Sequence, residues 1–200
     1  GEGEVAMSEF VSLEQIDAIA SAIRSRTTYQ PRVGLILGSG LGSLAANVES
    51  ASILPYPELP GWPVSTVLGH QGHLVIGSLE GQDVAVMQGR VHYYEGYSMA
   101  QVTLPVRVMQ RLGVELLIVT NAAGAVNPAY EPGDLMLITD HVNLIGMGGL
   151  NPLRGPNLDE FGPRFPDMSQ PYDRVLSDLA RKSAATENLL LHEGVYVSLA

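Results

Sequence analysis

"RVGLILGSGLGSLAANV", residues 32–48, decides the fold. Its first half is a short continuous apolar run, the pattern of a strand covered on both faces. Its second half is a glycine turn leading into a segment read as a helix. Strand, tight turn and helix make the α/β unit. Working outward, "HLVIGSL" (73–79) and "QDVAVMQ" (82–88) flank Glu80-Gly81 and read as a β-hairpin that sets Gly89 and Arg90 at a strand end. Upstream, Ser12 and Gln15 form a capping box, and Leu13, Ile16, Ile19 and Ile23 recur at helical spacing as far as Arg26. Downstream, Ser98 and Gln101 form a second capping box. The helix it opens stops at Gly113 and carries Pro105, which is expected to kink it. "ELLIVT" (115–120) reads as another buried strand, "LMLITDHVNLI" (135–145) as a further one, 172–188 as a helix and "GVYVSLA" (194–200) as a last strand. Residues 146–171 are rich in Gly, Pro and Asn and suggest an ordered excursion with a job. The pattern predicts one α/β domain over 1–200 with a mixed sheet between helices. Its finish on an apolar strand predicts that the C-terminal part of that domain is lacking.

Composition narrows the function. With 11 basic and 21 acidic residues the net charge is -10, which repels nucleic acid and anionic membrane. The absence of Cys excludes disulfides, thiolate metal sites and a Cys nucleophile. Neither a bilayer-spanning run nor a signal peptide is visible, so the protein is expected in the cytoplasm. A small anion remains a possible ligand. It would need a local cradle of backbone N–H groups and a cation or two.

Candidate residues for that cradle occur at the strand ends. Gly38, Gly40 and Gly42 in "LGSGLGS" suit either a tight turn or an anion site, with Ser39 adding a hydroxyl donor. The third glycine comes one residue too early for the dinucleotide fingerprint, and the one Lys, Lys182, is not in a nucleotide P-loop. "GRVHYYEGYS" (89–98) concentrates an Arg, a His, three Tyr and a Glu in one loop. Arg90 can fork onto phosphate or carboxylate. His92 would share its side in extended geometry, and Glu95 could orient His92 and hold it protonated. Alone, Arg90 could equally be a surface ion pair. His70 and His73 in "GHQGH" lack a third ligand, so no metal is expected; His70 suits an anion, and His73 a strand face. "NAAG" (121–124) follows a strand at the end where open α/β sheets bind ligands, and its small residues let a ring or an anion approach the backbone.

Taken in order, "GLILGSGLG", "GHQGHLVIG", "GRVHYYEGY", "TNAAGAVN", "NPLRGPN", "FGPRFPDMS" and "GVYV" resemble the trimeric, low-molecular-mass class of purine nucleoside phosphorylase, from about residue 12 onward. The resemblance implies a three-layer α/β sandwich with a central mixed, partly barrel-like sheet. The implied reaction is phosphorolysis of purine ribo- and deoxyribonucleosides to base and pentose 1-phosphate, in purine salvage. It implies a phosphate site of Ser39, His70, Arg90, His92 and the Ala122 N–H, and catalytic roles for His92, Arg90 and Glu95. Tyr94 would contact ribose, Phe165 would reach the sugar of a neighbouring subunit in a homotrimer, and Ala123, Gly124 and Tyr196 would line the base pocket. No cofactor is implied beyond phosphate as co-substrate. The partners expected are purine nucleoside and phosphate, without nucleic acid or membrane. The family's base-selecting Glu would fall beyond Ala200. Two alternatives remain at this point: a 5′-methylthioadenosine phosphorylase, or a non-catalytic nucleoside- or phosphate-binding module.

Overall fold

A computed structural model describes residues 10–65 and 72–199. The chain forms two compact units, the first running to Ala122 and taking back 155–161, the second comprising 123–154 and 162–200.

The first unit opens with α1 (Leu13–Arg24), where the Ser12 hydroxyl accepts the Gln15 N–H as N-cap. The apolar run forms β1 (Val33–Leu37). The segment after the glycine turn is a six-residue 3₁₀ helix, Gly42–Asn47, shorter than the helix its composition suggests. Its first residue has no side-chain cap, and the chain is drawn directly into β2 (Glu49–Pro55). Strand β2 has no legible alternation, because Ser, Glu and Pro interrupt it. The hairpin forms as read, with β3 (His73–Leu79) and β4 (Gln82–Gln88) antiparallel and both Glu80 and Gly81 at positive φ. Helix α2 (Met99–Leu112) begins in a reciprocal Ser98–Gln101 capping box, runs continuously through Pro105 and ends on left-handed Gly113. Strand β5 (Leu116–Val119) completes a five-stranded mixed sheet ordered β2-β3-β4-β1-β5, in which β4, β1 and β5 are parallel.

Continuous burial along β1, β3 and β4 follows from cover on both faces. On one face Ile36, Leu74, Ile76, Ala85 and Met87 pack against Ile16, Ile19 and Ile23 of α1 and Leu104, Val108 and Met109 of α2. On the other, Leu35, Leu37, Val75, Val84 and Val86 meet Ala45 and Val48. Each large aliphatic side chain so buried contributes about 1.5–3 kcal/mol. Leu158 and Phe161, in the returning segment, pack on the helical face. Strand β5 departs from the buried strand expected: Leu117, Ile118 and Val119 are 37%, 47% and 54% exposed. It lies at the edge of its sheet, paired on one side alone among the described residues.

In the second unit β6 (Leu135–Asn143) and β7 (Leu191–Ser198) pair in parallel. The short α3 (Leu144–Met147) follows β6, and α4 (Arg174–Thr186) is capped by Asp173. Among the described residues no helix is long and apolar enough to cross a membrane.

Candidate active site

Three neighbouring parallel strands, β4, β1 and β5, end at one edge of the first unit, and the chain leaves each through residues with chemistry to offer. Gly38-Ser39 follow β1, Gly89-Arg90 follow β4, and Thr120 to Ala122 follow β5. This is the carboxyl edge of the sheet, where strand ends converge and open α/β folds bind ligands.

Thr120 locks the edge together. Its hydroxyl accepts the Gly38 N–H at 2.9 Å and donates to the Ile36 carbonyl at 3.1 Å. Its own carbonyl accepts the Arg90 guanidinium at 2.5 Å. The close approach explains Gly38: a Cβ there would sit 2.7 Å from the Thr120 oxygen and 2.8 Å from the Asn121 Cα. Gln88 ties the glycine turn to β4 by donating to the Gly42 carbonyl at 2.9 Å. Ser39 and Ala122 are both exposed at this edge.

At Gly89 the chain turns with φ 100°, a conformation glycine takes without strain. The loop beyond it is ordered by the Glu95 carboxylate, whose side chain is only 2% exposed. Its Oε1 accepts the His92 backbone N–H and faces His92 Nδ1, each at 2.9 Å. Its Oε2 accepts the Ser65 hydroxyl at 2.9 Å. The Tyr94 ring stacks on His92 at 4.9 Å and is itself 75% exposed. Two more bonds fasten the loop to the segment after β2: Tyr56 donates to the Gly89 carbonyl at 2.6 Å, and Tyr97 to the Val64 carbonyl at 2.5 Å. Burial pushes the Tyr56 phenol far above its ordinary value, so it remains a donor. Its ring packs on buried Trp62 at 5.3 Å.

The first unit thus gathers Ser39, Arg90, His92, Tyr94, Glu95 and Ala122 at the sheet edge and its adjoining loop. His70 lies outside the described residues. Ala123, Gly124, Phe165 and Tyr196 belong to the second unit. There Ala123 and Gly124 are exposed, Phe165 is 86% exposed, and Tyr196 stands half-buried on β7 opposite His141 of β6. Thr120 and Ser65 carry no sequence signal beyond a hydroxyl near a strand end and a hydroxyl in a loop. Their importance arises from partners 30 or more residues away. Among the described residues no cluster of His, Asp and Glu could hold a metal ion.

Comparison with known proteins agrees with this arrangement. The family model described as the phosphorylase superfamily matches residues 32–200. Purine nucleoside phosphorylase 1 of Bacillus subtilis is 55% identical over 186 residues, covering 93% of this chain and 68% of that protein. The structure of isoform 2 of the Schistosoma mansoni purine nucleoside phosphorylase, in complex with cytosine and ribose-1-phosphate, superposes with a TM-score of 0.90 at 46% identity, covering 95% of this chain and 67% of that one. A Schistosoma mansoni purine nucleoside phosphorylase in complex with inosine gives 0.89 at 44% identity with the same coverage. The chain spans about two thirds of the length of these relatives. A sheet edge built around Arg90, a match over most of the chain and identities near one half lead to one assignment: the chain belongs to the phosphorylase superfamily, among its purine nucleoside phosphorylases.

Proposed function

We propose that this protein catalyses the phosphorolysis of purine ribo- and deoxyribonucleosides, releasing the base and a pentose 1-phosphate. The observation that carries the reading is Arg90, held against the Thr120 carbonyl where three parallel strands end. An anchored guanidinium is pre-organised for an oxyanion and loses little freedom on binding it. Phosphate is held by Ser39, His70, Arg90, His92 and the Ala122 N–H. One phosphate oxygen attacks C1′ of the sugar, the glycosidic C–N bond breaks, and its electron pair leaves with the base. The sugar passes through an oxocarbenium-like state, and the bound dianion both attacks it and stabilises its charge. Tyr94, exposed beside His92, offers its face to the ribose.

In the same reading Phe165 closes over the sugar of a neighbouring subunit in a homotrimer, and Ala123, Gly124 and Tyr196 line the base. Phosphate is the co-substrate, and no metal or other cofactor takes part. The enzyme works in cytoplasmic purine salvage. The relatives named for this activity, and the solved complexes with inosine and with ribose-1-phosphate, support the reading.

The test is hypoxanthine release from inosine by the intact protein, with and without inorganic phosphate. Release is expected only with phosphate, and Arg90→Ala is expected to lower it by about 100-fold or more. Release that ignores phosphate, or an Arg90→Ala enzyme equal to wild type, would overturn the proposal.

A further inference from the structure

The Glu95 carboxylate is nearly enclosed, and its oxygens are divided between two segments of the chain. Oε1 serves His92 twice, through the backbone N–H and the ring Nδ1, while Oε2 is taken by Ser65. An ionised carboxylate only accepts hydrogen bonds. Oε1 is therefore favourably paired only when Nδ1 carries a proton, and this selects one of the two neutral tautomers of His92. The preference depends on keeping Oε1 in place. A carboxylate turns easily about its last torsion, and the Ser65 hydroxyl opposes that turn by holding Oε2.

We propose that Ser65 is a positioning residue for the phosphate site: by holding Glu95 it fixes His92 in the Nδ1-protonated form, so that the unprotonated Nε2 accepts the one P–OH of the HPO₄²⁻ dianion. Ser65 acts through Glu95 and touches no reacting atom. The surroundings suit the role. The segment carrying Ser65 is bound to the same loop by Tyr56 at Gly89 and by Tyr97 at Val64, so the serine reaches Glu95 from a tethered position. Tyr94 stacks on the His92 ring within 12° of parallel, which limits ring tilt. The phosphate part of this inference rests on the function proposed above; the tautomer part does not.

The experiment labels histidine with ¹⁵N and reads the two ring nitrogens of His92 on the alkaline plateau of their shifts, alongside the Kd for inorganic phosphate by titration calorimetry. In the wild type, Nδ1 is expected to show the shift of a protonated nitrogen. Ser65→Ala should give averaged shifts from mixed tautomers and weaken phosphate binding by about three- to ten-fold, as the competent tautomer falls to between about a third and a tenth of the population. Ser65→Thr, which keeps the hydroxyl, should restore both. If Ser65→Ala leaves both shifts and Kd unchanged, or Ser65→Thr fails to restore a folded protein's tautomer, the proposal is overturned. Should Ser65→Ala not fold, Ser65→Gly removes the hydroxyl without adding bulk, and an unchanged tautomer there overturns it equally. A protein that shows the expected tautomers but binds no phosphate would instead refute the phosphorolysis reading alone.

Discussion

Gly38 shows how one residue without a side chain governs several that have one. The Thr120 carbonyl and the Asn121 Cα occupy the space a Cβ would need, and both are backbone, so neither can rotate away. Gly38→Ala is therefore expected to destabilise the first unit by about 1–3 kcal/mol, measured by thermal unfolding. It should also weaken phosphate binding more than that stability loss explains, because Arg90 is anchored on the carbonyl that must move. An alanine protein with unchanged melting and unchanged affinity would show that β1 and β5 separate there without cost. At this scale the sequence was informative about charge and poor about support. Arg90, His92 and Glu95 stood out as polar groups concentrated in one loop. Thr120 and Ser65 did not, since a hydroxyl has no special character until the fold brings its partner to it.

Elements were legible where local physics decides them. An N-cap serine at α1, a full capping box at α2, a two-residue hairpin turn and apolar runs gave α1, α2, β3, β4 and β1 close to their observed bounds. Strand β2 was not legible, because pairing with β3 overrides a sequence that has no alternation of its own. The β6–β7 pair carries a pH dependence. Asp134 is held below the usual carboxylate range, first by the Glu131 backbone N–H and then by His192, whose Nε2 lies 2.9 Å away. A carboxyl depressed in the folded state stabilises it above the unfolded value, and that contribution is lost as pH falls through the folded one. The start of the β6–β7 ladder, where Leu135 pairs with Leu191, should therefore lose amide-exchange protection as pH drops below the ordinary Asp range. Asp134→Asn should show reduced protection at neutral pH and little further change on acidification. Equal acid sensitivity in both proteins would assign the effect to another group.

For the whole molecule, the α/β class and the mixed sheet followed from the order of runs and turns, since parallel strands need crossovers and a hairpin does not. The division into two units did not. It depends on 155–161 leaving its sequence neighbours to place Leu158 and Phe161 on the core of the first unit. Nor was the edge position of β5 visible, because an edge strand and a central one share the same apolar run. That edge has a measurable consequence. Leu117, Ile118 and Val119 expose apolar surface on the two faces of β5, beside backbone that pairs with no further strand among the described residues, the combination that invites strand-to-strand association. Ile118→Lys is expected to lower concentration-dependent light scattering while changing unfolding free energy by less than about 0.5 kcal/mol. Scattering equal to that of the wild type would place the association elsewhere.

The chain's one tryptophan, Trp62, is 4% exposed, and its indole N–H has no partner among the described residues. It packs on Tyr56, whose hydroxyl holds Gly89 at the entrance to the Arg90 loop. The protein thus carries a single tryptophan fluorophore beside the tether of its Arg90 loop. Its emission wavelength is an unlabelled optical gauge of that tether, blue while the loop is fastened and red-shifted once water reaches the indole.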